Sequence, residues 1–353
     1  MLNKLRANLL STNFRAIRRF VIILLAKIPK DLEKAIIFGD ALNHFLMITP
    51  FKHVFKFKIP KNLETNLYDL TFASPIISAS FKDDVSSLFQ WQLVGIGGIT
   101  YKTVLKMPSE GNLRPRIQEV RHNGDYAILN SLGLPTKGVA NFLPLINNKK
   151  LTKFNRPIGV SIGGNSSSEY FSVFKDIESH LNTLDYSQFF YEINISCPNT
   201  DDGKCLSDDL DNLKHLILKF REISSRVIIV KVSPDSTDQE VLKICEILSN
   251  ISKTAINIGN TKYVKADSVG LTNKNFSKEG GGLSGSSLYE NTLRIVKLIA
   301  SNYNLPIIAT GGVSSYDNVK ELLDSGALLT GMATLLVTDP FQIPLINYRL
   351  SND

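Results

Sequence analysis

Eight short, mostly apolar segments recur along the chain from about residue 70 onward, and longer polar or amphipathic segments separate them. Continuous apolar runs of this kind are typical of parallel strands that are buried on both faces. The segments between them have helical periodicity and helical length. Eight strands that alternate with helices predict an α/β protein with a (β/α)8 TIM barrel, whose function should lie at the carboxyl ends of the strands. The predicted strands span 75–80, 93–100, 157–163, 190–196, 227–232, 254–258, 306–310 and 327–332, and the clearest predicted helices span 210–224, 238–250, 288–302 and 317–325.

The length of the chain leaves room for an extension in front of the barrel. With 353 residues and 43% hydrophobic content, one barrel of about 250 residues plus a short N-terminal part fits better than two equal domains. We therefore predict a helical extension over residues 1–62 and a barrel domain over residues 63–353.

The extension is basic and apolar at the same time. Its apolar run 20–26 is far shorter than the roughly 20 residues that a membrane-spanning helix needs. A second helix is predicted to begin near Asp31 and to end before Pro50. Basic charges among apolar residues predict contact with an anionic membrane surface, and a helical cap on the barrel is the alternative. Its basic residues include Lys4, Arg6, Arg15, Arg18, Arg19, Lys27, Lys30, Lys52, Lys56, Lys58 and Lys61.

The three cysteines, Cys197, Cys205 and Cys245, are too scattered for a disulfide framework or for a metal site. They indicate a reducing compartment. We expect a peripheral membrane protein that faces such a compartment, or a cytoplasmic one if the extension does not bind membrane.

The fourth predicted strand ends in the segment 194–200, Asn-Ile-Ser-Cys-Pro-Asn-Thr, which places a thiol between two amides. A buried amide needs several hydrogen-bond partners, and Pro198 cannot donate to a sheet. This pattern predicts a catalytic base, Cys197, between the substrate-orienting residues Asn194 and Asn199. The alternative is a plain strand end with a buried cysteine and a turn.

Glycines between strands six and seven, at 280–285, and after strand seven, at 311–312, indicate a phosphate site. Glycine lets backbone N–H groups approach phosphate oxygens, although a single glycine run also suits a flexible loop. Lys231 lies within a strand, where a buried ammonium needs an anion, and a reduced flavin would supply one. Lys82 could serve the same ring, although a lysine that reaches solvent is the alternative for each.

The chain resembles the dihydroorotate dehydrogenase family, the FMN-dependent barrel enzymes of pyrimidine synthesis, over roughly residues 65–340. The resemblance implies removal of a proton from C5 of dihydroorotate by Cys197, hydride transfer from C6 to FMN, and release of orotate, with no metal. A lid over the substrate is implied at 201–205. The motifs that carry the resemblance are 111–116, 130–135, 194–200, 281–285 and the turn 311–312.

The same resemblance implies the binding residues. The substrate is implied to contact Asn130, Asn194, Asn199, Asn260 and Thr261. The FMN cofactor is implied to contact Ala79, Lys82, Gly98, Ser161, Asn194, Lys231, Gly259, Gly285, Gly312, Gly331 and Thr334.

The chain mixes two branches of that family. It resembles the membrane-bound, quinone-reducing branch in its extension, but that branch normally uses serine as its base. It resembles the soluble branch, which often uses fumarate, in Cys197 and in 130–135. We expect a quinone as the oxidant, because exposed apolar helices need a lipid or a partner surface.

Two other functions fit parts of the pattern. A tRNA dihydrouridine synthase-like flavoenzyme uses a similar barrel and cysteine, but it would need an RNA-binding domain. A non-catalytic flavin-binding barrel would not need Cys197, Asn194, Asn199 and Lys231 together. No nucleic-acid partner is expected, because the basic residues show no interleaving with aromatic residues.

Overall fold

The computed structural model describes residues 2–26, 31–195, 206 and 209–353. The described residues contain fourteen strands and twelve α-helices. The strands are β1 (Thr65–Leu67), β2 (Leu70–Phe72), β3 (Ile76–Ser78), β4 (Ile99–Val104), β5 (Ile117–His122), β6 (Asp125–Asn130), β7 (Ile158–Ile162), β8 (Phe189–Asn194), β9 (Ile228–Val232), β10 (Thr254–Ile258), β11 (Lys262–Lys265), β12 (Gly280–Gly285), β13 (Ile307–Thr310) and β14 (Leu329–Met332). The helices are α1 (Leu2–Leu25), α2 (Leu32–Ile48), α3 (Val85–Val94), α4 (Val139–Ile146), α5 (Lys149–Thr152), α6 (Ser167–Leu181), α7 (Leu210–Ile223), α8 (Asp238–Ser249), α9 (Tyr289–Asn302), α10 (Tyr316–Asp324), α11 (Thr334–Thr338) and α12 (Gln342–Leu350).

Eight parallel strands form the barrel in the order β3-β14-β13-β10-β9-β8-β7-β4. A parallel bridge between Ile77 and Gly98 joins β3 to the start of β4, so the sheet closes on itself. Closure pairs the backbone of both would-be edge strands and leaves both faces of the sheet to pack against side chains. The predicted (β/α)8 barrel is confirmed.

The second predicted strand was misplaced. The apolar run that starts at Leu93 belongs to the end of α3 and a turn, and the strand itself is β4. Helix α3 is buried over most of its length, so its sequence has a continuous apolar run like that of a strand. Asp84 caps its start, and Gly95 ends it in the left-handed conformation.

Because β4 begins at Ile99, Gly98 lies at the end of the barrel opposite the mouth. Gly98 lies at the amino end of β4, where an added Cβ would meet the ring of Phe72 at 2.6 Å. Phe72 belongs to the β1–β2 hairpin, which packs with Phe190 and Ile308 and closes the amino end. The expectation that Gly98 contacts the cofactor is therefore wrong.

A second sheet, which the sequence analysis did not predict, has the antiparallel order β11-β12-β6-β5. Its strands come from the connections that follow β4 and β10, so it lies beside the carboxyl end of the barrel. The glycine run 280–285, interpreted as part of a phosphate site with a flexible loop as the alternative, forms β12, because β11 and β6 pair with it on both sides.

The extension packs against the barrel through polar contacts. On α1, Ser11 Oγ donates to Asp339 Oδ2 at 2.6 Å, and Arg18 pairs with Glu119. Asp31 caps α2 as predicted, because its side chain accepts from the backbone N–H of Glu33. Across the residues described, no helix combines the length and the apolar content that crossing a bilayer requires.

Candidate active site

The strand register places three polar residues side by side in the barrel wall. Asn194 at the end of β8 is paired with Lys231 on β9, and Lys231 is paired with Asn257 on β10. All three side chains are buried, which is costly unless each finds partners or a ligand. The register therefore concentrates amide and ammonium groups at one level of the barrel.

Asn194 is fixed by contacts on both its side chain and its backbone. Its Nδ2 donates to Thr103 Oγ1 at 3.1 Å, and Thr103 Oγ1 lies 3.0 Å from Ser161 Oγ. The backbone carbonyl of Asn194 accepts from the hydroxyl of Tyr170 at 2.6 Å. Such contacts hold the amide in one orientation, as binding a planar ligand in one pose requires.

Three further residues predicted to bind the substrate converge near Asn194. Asn260 Nδ2 lies 3.5 Å from Asn194 Oδ1, and Asn260 Oδ1 accepts from the backbone N–H of Thr261 at 2.9 Å. Thr261 lies against Gly282, where an added Cβ would be 2.0 Å from its Oγ1. Asn130 donates to the carbonyl of that same Gly282 at 3.0 Å. The second sheet thus brings Asn130 and Thr261 to the barrel mouth.

Lys231 lies beside a buried carboxylate that the sequence analysis did not include. Lys231 Nζ donates to Ser80 Oγ at 3.2 Å and lies 3.8 Å from Glu192 Oε1. Glu192 accepts from Ser80 Oγ and, at 2.8 Å, from Asn257 Nδ2. An ammonium and a carboxylate therefore share one hydrogen-bonded network inside the barrel.

Glycines at the carboxyl ends of β10, β13 and β14 let neighbouring backbone segments approach closely at this part of the mouth. A Cβ at Gly259 would lie 1.1 Å from the carbonyl oxygen of Thr310, and a Cβ at Gly331 would lie 2.0 Å from Thr310 Oγ1. Gly312 abuts the backbone N–H of Tyr289, at the start of α9. Thr310 Oγ1 is buried and has no hydrogen-bond partner among the described residues. A buried hydroxyl without a partner among the described residues and a buried ammonium at the carboxyl ends of the strands fit the polar edge and phosphate of a flavin nucleotide.

The other residues predicted to bind the cofactor are spread around the mouth. Ala79 follows β3, and its N–H donates to the carbonyl of Met332. Thr334 begins α11 after β14, and Gly285 ends β12 with a φ of +141°. Lys82 is at the mouth, but its ammonium pairs with Asp40 of α2 at 2.5 Å, so its charge already has a protein partner.

The predicted base Cys197 and the predicted substrate ligand Asn199 lie outside the described residues, as does the predicted lid 201–205. Their positions in the chain begin three residues beyond Asn194, the last residue of β8.

Lys102 on β4 is a candidate site residue that sequence analysis missed. It lines a small cavity near the mouth together with Asp83 and Thr103. Burial lowers the pKa of Lys102 to about 8, with smaller effects from the charges of its neighbours. A lysine inside a strand was the available signal. It was overlooked because the second strand is predicted to end at residue 100, so Lys102 falls outside it, whereas β4 extends to Val104.

Glu192, Ser80 and Asn257 were also missed. Residues two apart in a strand face the same side, so Glu192 shares the inner face of β8 with Asn194. The alternation of Glu192 and Asn194 with Tyr191 and Ile193 was the available signal.

Comparison with known proteins gives one consistent result. A profile of the family described as "Dihydroorotate dehydrogenase" matches residues 62–352. A protein of Christiangramia forsetii named "Dihydroorotate dehydrogenase (quinone)" is 30% identical over 297 residues, which cover 82% of this chain and 84% of that protein. A protein of Shewanella halifaxensis with the same name is 31% identical over 282 residues, or 76% and 80% of the two chains. The crystal structure of the Eimeria tenella DHODH in complex with ferulenol superposes with a TM-score of 0.70 at 21% identity, covering 89% of this chain and 90% of that one, and supports the fold.

Proposed function

The chain belongs to the dihydroorotate dehydrogenase family, and we propose that it oxidises dihydroorotate to orotate at the barrel mouth, with FMN as its flavin and a quinone as final acceptor. The observation that carries the assignment is the convergence of Asn194, Asn260, Thr261 and Asn130 beside the buried ammonium of Lys231. The protein is thereby assigned as an oxidoreductase of pyrimidine biosynthesis that acts on a CH–CH bond.

The amides suit this substrate because dihydroorotate is a small ring that carries carbonyl oxygens, N–H groups and a carboxylate. Each asparagine offers one acceptor oxygen and two donor hydrogens, so a few of them can match such a ring on several edges. Asn194 is the best fixed of the group, since Thr103 and Tyr170 hold its side chain and its backbone. We assign to Asn194, Asn260 and Asn130 the task of orienting the ring, and to Asn199 a similar task.

The flavin contacts are assigned to the buried ammonium of Lys231 and to the glycines at the strand ends. Lys231 would donate to the polar edge of the ring, and Gly259, Gly312 and Gly331 would let the backbone approach the nucleotide. Gly285, Ala79, Ser161 and Thr334 complete the proposed surroundings of the cofactor. When bound, FMN supplies the two-electron acceptor for the hydride that leaves C6.

Cys197 is proposed to accept the proton from C5 of the substrate. The thiolate is the reactive form, so the pKa of this cysteine has to lie near the working pH, or the proton has to pass on through Ser196 or Thr200. Its place three residues after Asn194 lets one strand end supply both the base and an orienting amide.

The experiment is anaerobic mixing of the holoenzyme with dihydroorotate, which should bleach the yellow flavin. Cys197→Ala should keep the flavin bound and slow bleaching by roughly a hundredfold or more, whereas Cys197→Ser should retain part of the rate with a higher pH optimum. Unchanged bleaching in the alanine variant would remove Cys197 from the mechanism, and no bleaching in the wild type would refute the proposed reaction.

The acceptor is tested by reoxidising the bleached enzyme with a quinone, with fumarate or with a nicotinamide nucleotide. We expect the quinone to be fastest, as the names of the curated relatives suggest. Fast reoxidation by fumarate with slow reoxidation by quinone would instead assign the chain to the soluble type, which its cysteine resembles.

The quinone is proposed to reach the protein at a lipid surface formed by the extension. Apolar side chains point outward from α1, α2 and the turn after them, with exposed fractions of 64% for Phe20, 55% for Phe45 and 62% for Phe51. An exposed apolar surface of this kind, flanked by lysines, is typical of proteins that lie on a membrane without crossing it. We assign the protein to the membrane surface on this basis.

A further inference from the structure

Glu192 is a charged residue in the middle of a barrel strand, and only 3% of its surface is exposed. It lies two residues before Asn194 on the inner face of β8. Its carboxylate joins three other parts of the barrel, because it contacts Ser80 after β3, Lys231 on β9 and Asn257 on β10. Burying a carboxylate costs several kcal/mol, so a purely structural purpose would be served better by an apolar residue.

The ion pair between Glu192 and Lys231 is incomplete. The two charged atoms are 3.8 Å apart, and Ser80 Oγ bridges them by accepting from Lys231 and donating to Glu192. Within the described part of the chain, Ser80 Oγ is the one hydrogen-bond acceptor of the ammonium, which carries three N–H donors. Donors therefore remain for a ligand, while the carboxylate stays close enough to reduce the net positive charge that the ligand meets.

We infer that Glu192 is a positioning residue and a counter-charge, which holds Lys231 toward the flavin and limits how strongly its ammonium stabilises the reduced cofactor. The inference rests on the proposed function, in that it takes Lys231 to contact the flavin. Reduction adds negative charge to a flavin, so an unopposed ammonium favours the reduced form and a nearby carboxylate disfavours it. Glu192 and Lys231 together set the reduction potential of the flavin, while Lys231 alone donates hydrogen bonds to it.

The test is the reduction potential of the bound flavin, measured by spectroscopic titration of the holoenzyme against a reference dye. Glu192→Gln keeps the size of the side chain and removes its charge. We expect the two-electron equilibrium to move toward the reduced flavin by roughly tenfold or more, where each tenfold corresponds to about 30 mV. Lys231→Met should move it in the opposite direction, and the double variant, in which both charges are gone, should return near the wild-type value.

Glu178→Gln is the matched control. Glu178 is also a buried carboxylate in an ion pair, 3.1 Å from Arg226, but it belongs to α6. Its substitution should lower stability and leave the flavin potential within about twofold of wild type in equilibrium constant. An equal shift in both variants would mean that the potential reports general loosening of the barrel, and would overturn the inference.

A potential that does not move in Glu192→Gln, with the flavin bound and the protein folded, would also overturn the inference. If Glu192→Gln does not retain flavin, Lys231→Met is compared with the double variant Glu192→Gln/Lys231→Met instead. Adding Glu192→Gln to Lys231→Met has to raise the reduction potential of the flavin. No difference between those two would refute the role of Glu192. Failure of the proposed function is distinguishable, since it would appear as a wild-type protein without flavin or without bleaching by dihydroorotate.

Discussion

Gly259 directly follows β10 with a φ of +136°, and a Cβ at this position would lie 1.1 Å from the backbone oxygen of Thr310. Neither the dihedral angle nor the backbone contact can relax by turning a side chain. We therefore expect Gly259→Ala to lower the free energy of unfolding by roughly 3 kcal/mol or more and to release the flavin, because the neighbouring strand has to move. Urea denaturation and the flavin content of the purified protein are the measurements.

Gly39 provides the opposite case for comparison. It lies inside α2, and a Cβ there meets nothing within 4 Å. Gly39→Ala should raise the free energy of unfolding by about 0.5–1 kcal/mol, since alanine favours the helix. Equal stability of the two alanine variants would show that the close approach at Gly259 is easily relieved.

Lys102 makes a prediction about pH. Burial lowers its pKa from 10.5 to about 8 in the folded protein, so between these values the unfolded chain holds more protons than the folded chain. The contribution of Lys102 to stability is therefore unfavourable below pH 8, rises with pH between about 8 and about 10.5, and is then constant. The free energy of unfolding of wild type minus that of Lys102→Met should rise over this window by on the order of 3 kcal/mol.

The measurement is urea denaturation of both proteins at several pH values. Lys243→Met, which removes an exposed lysine of α8, is the control and should show no such rise relative to wild type. A difference between wild type and Lys102→Met that stays flat with pH would mean that Lys102 keeps its ordinary pKa.

Some site residues could be predicted from the sequence and others could not, and the difference has a physical reason. Asn194 and Lys231 were recognised because an amide and an ammonium are out of place in an apolar strand. Glu192 is equally out of place, but its role depends on the register between β8, β9 and β10, which no single segment contains. Gly98 was assigned wrongly because the end of a strand on which a residue lies depends on where that strand begins.

At the scale of elements, the boundaries of helices and strands were predicted well where the burial pattern of the element is regular along its length. The helix predicted at 238–250 is α8, Asp238–Ser249, whose amphipathic pattern and Thr237 capping box mark its ends. Helix α3 and strand β4 were confused because α3 is buried on almost every side and loses its period. The second sheet escaped prediction as a unit because the pairing of β6 with β12, which joins its two hairpins, links residues about 150 positions apart, such as Asn130 and Gly282. The local hairpin of β5 and β6 around Asn123-Gly124 was an available signal that was missed.

The attachment of α2 to the barrel is a testable property of one element. Arg116 Nη2 lies 3.0 Å from Glu33 Oε1, with side-chain exposures of 13% and 15%. Because both charges are largely shielded from water, we expect Glu33→Ala and Arg116→Ala to be non-additive, with a coupling of about 1–2 kcal/mol in the unfolding free energy. Either single substitution should also speed amide hydrogen exchange in α2.

The variant that carries both Glu33→Ala and Arg116→Ala completes the double-mutant cycle. If the two effects add within about 0.3 kcal/mol, the ion pair does not hold α2 in place. The remaining attachment would then rest on Arg114, which lies 2.7 Å from Asp31, and on the apolar contacts of the helix.

At the scale of the whole molecule, the three carboxylates of the extension all face the barrel, whereas its basic residues face both the barrel and the solvent. The acidic residues of its sequence are Asp31, Glu33 and Asp40, and each pairs with a cation of the barrel. The lysines on the outer side therefore lack a nearby acid from the extension itself. This arrangement gives the proposed membrane surface a net positive charge, although the whole chain has a charge of only +7.

Lysines of the barrel itself adjoin this surface. Lys153 Nζ lies 4.6 Å from the ring centre of Phe89 on α3. Partial burial, and then the charges of Lys52, Lys56 and Lys150, lower the pKa of Lys153. Two lysines from the turn after α2 and two from the α5 region thus lie close enough to repel one another. Phe51, which precedes Lys52 in the chain, is exposed. Such a cluster should bind anionic phospholipid headgroups.

We therefore predict that Lys150→Glu/Lys153→Glu weakens binding to phosphatidylglycerol-containing vesicles by roughly tenfold or more, at about 1 kcal/mol per lysine near an anionic surface. Binding to neutral phosphatidylcholine vesicles and bleaching by dihydroorotate should not change, because both lysines are exposed and lie just before β7, at the amino end of that strand and away from the mouth. Lys214→Glu/Lys243→Glu is the matched control, since α7 and α8 follow β8 and β9, and β9 lies opposite β3 in the ring of strands. Equal loss in both pairs would show that net charge alone governs binding, and no loss in the first pair would exclude these lysines from the membrane surface. The two double variants change the total charge by the same amount, so a difference in vesicle binding between them reflects where the lysines lie.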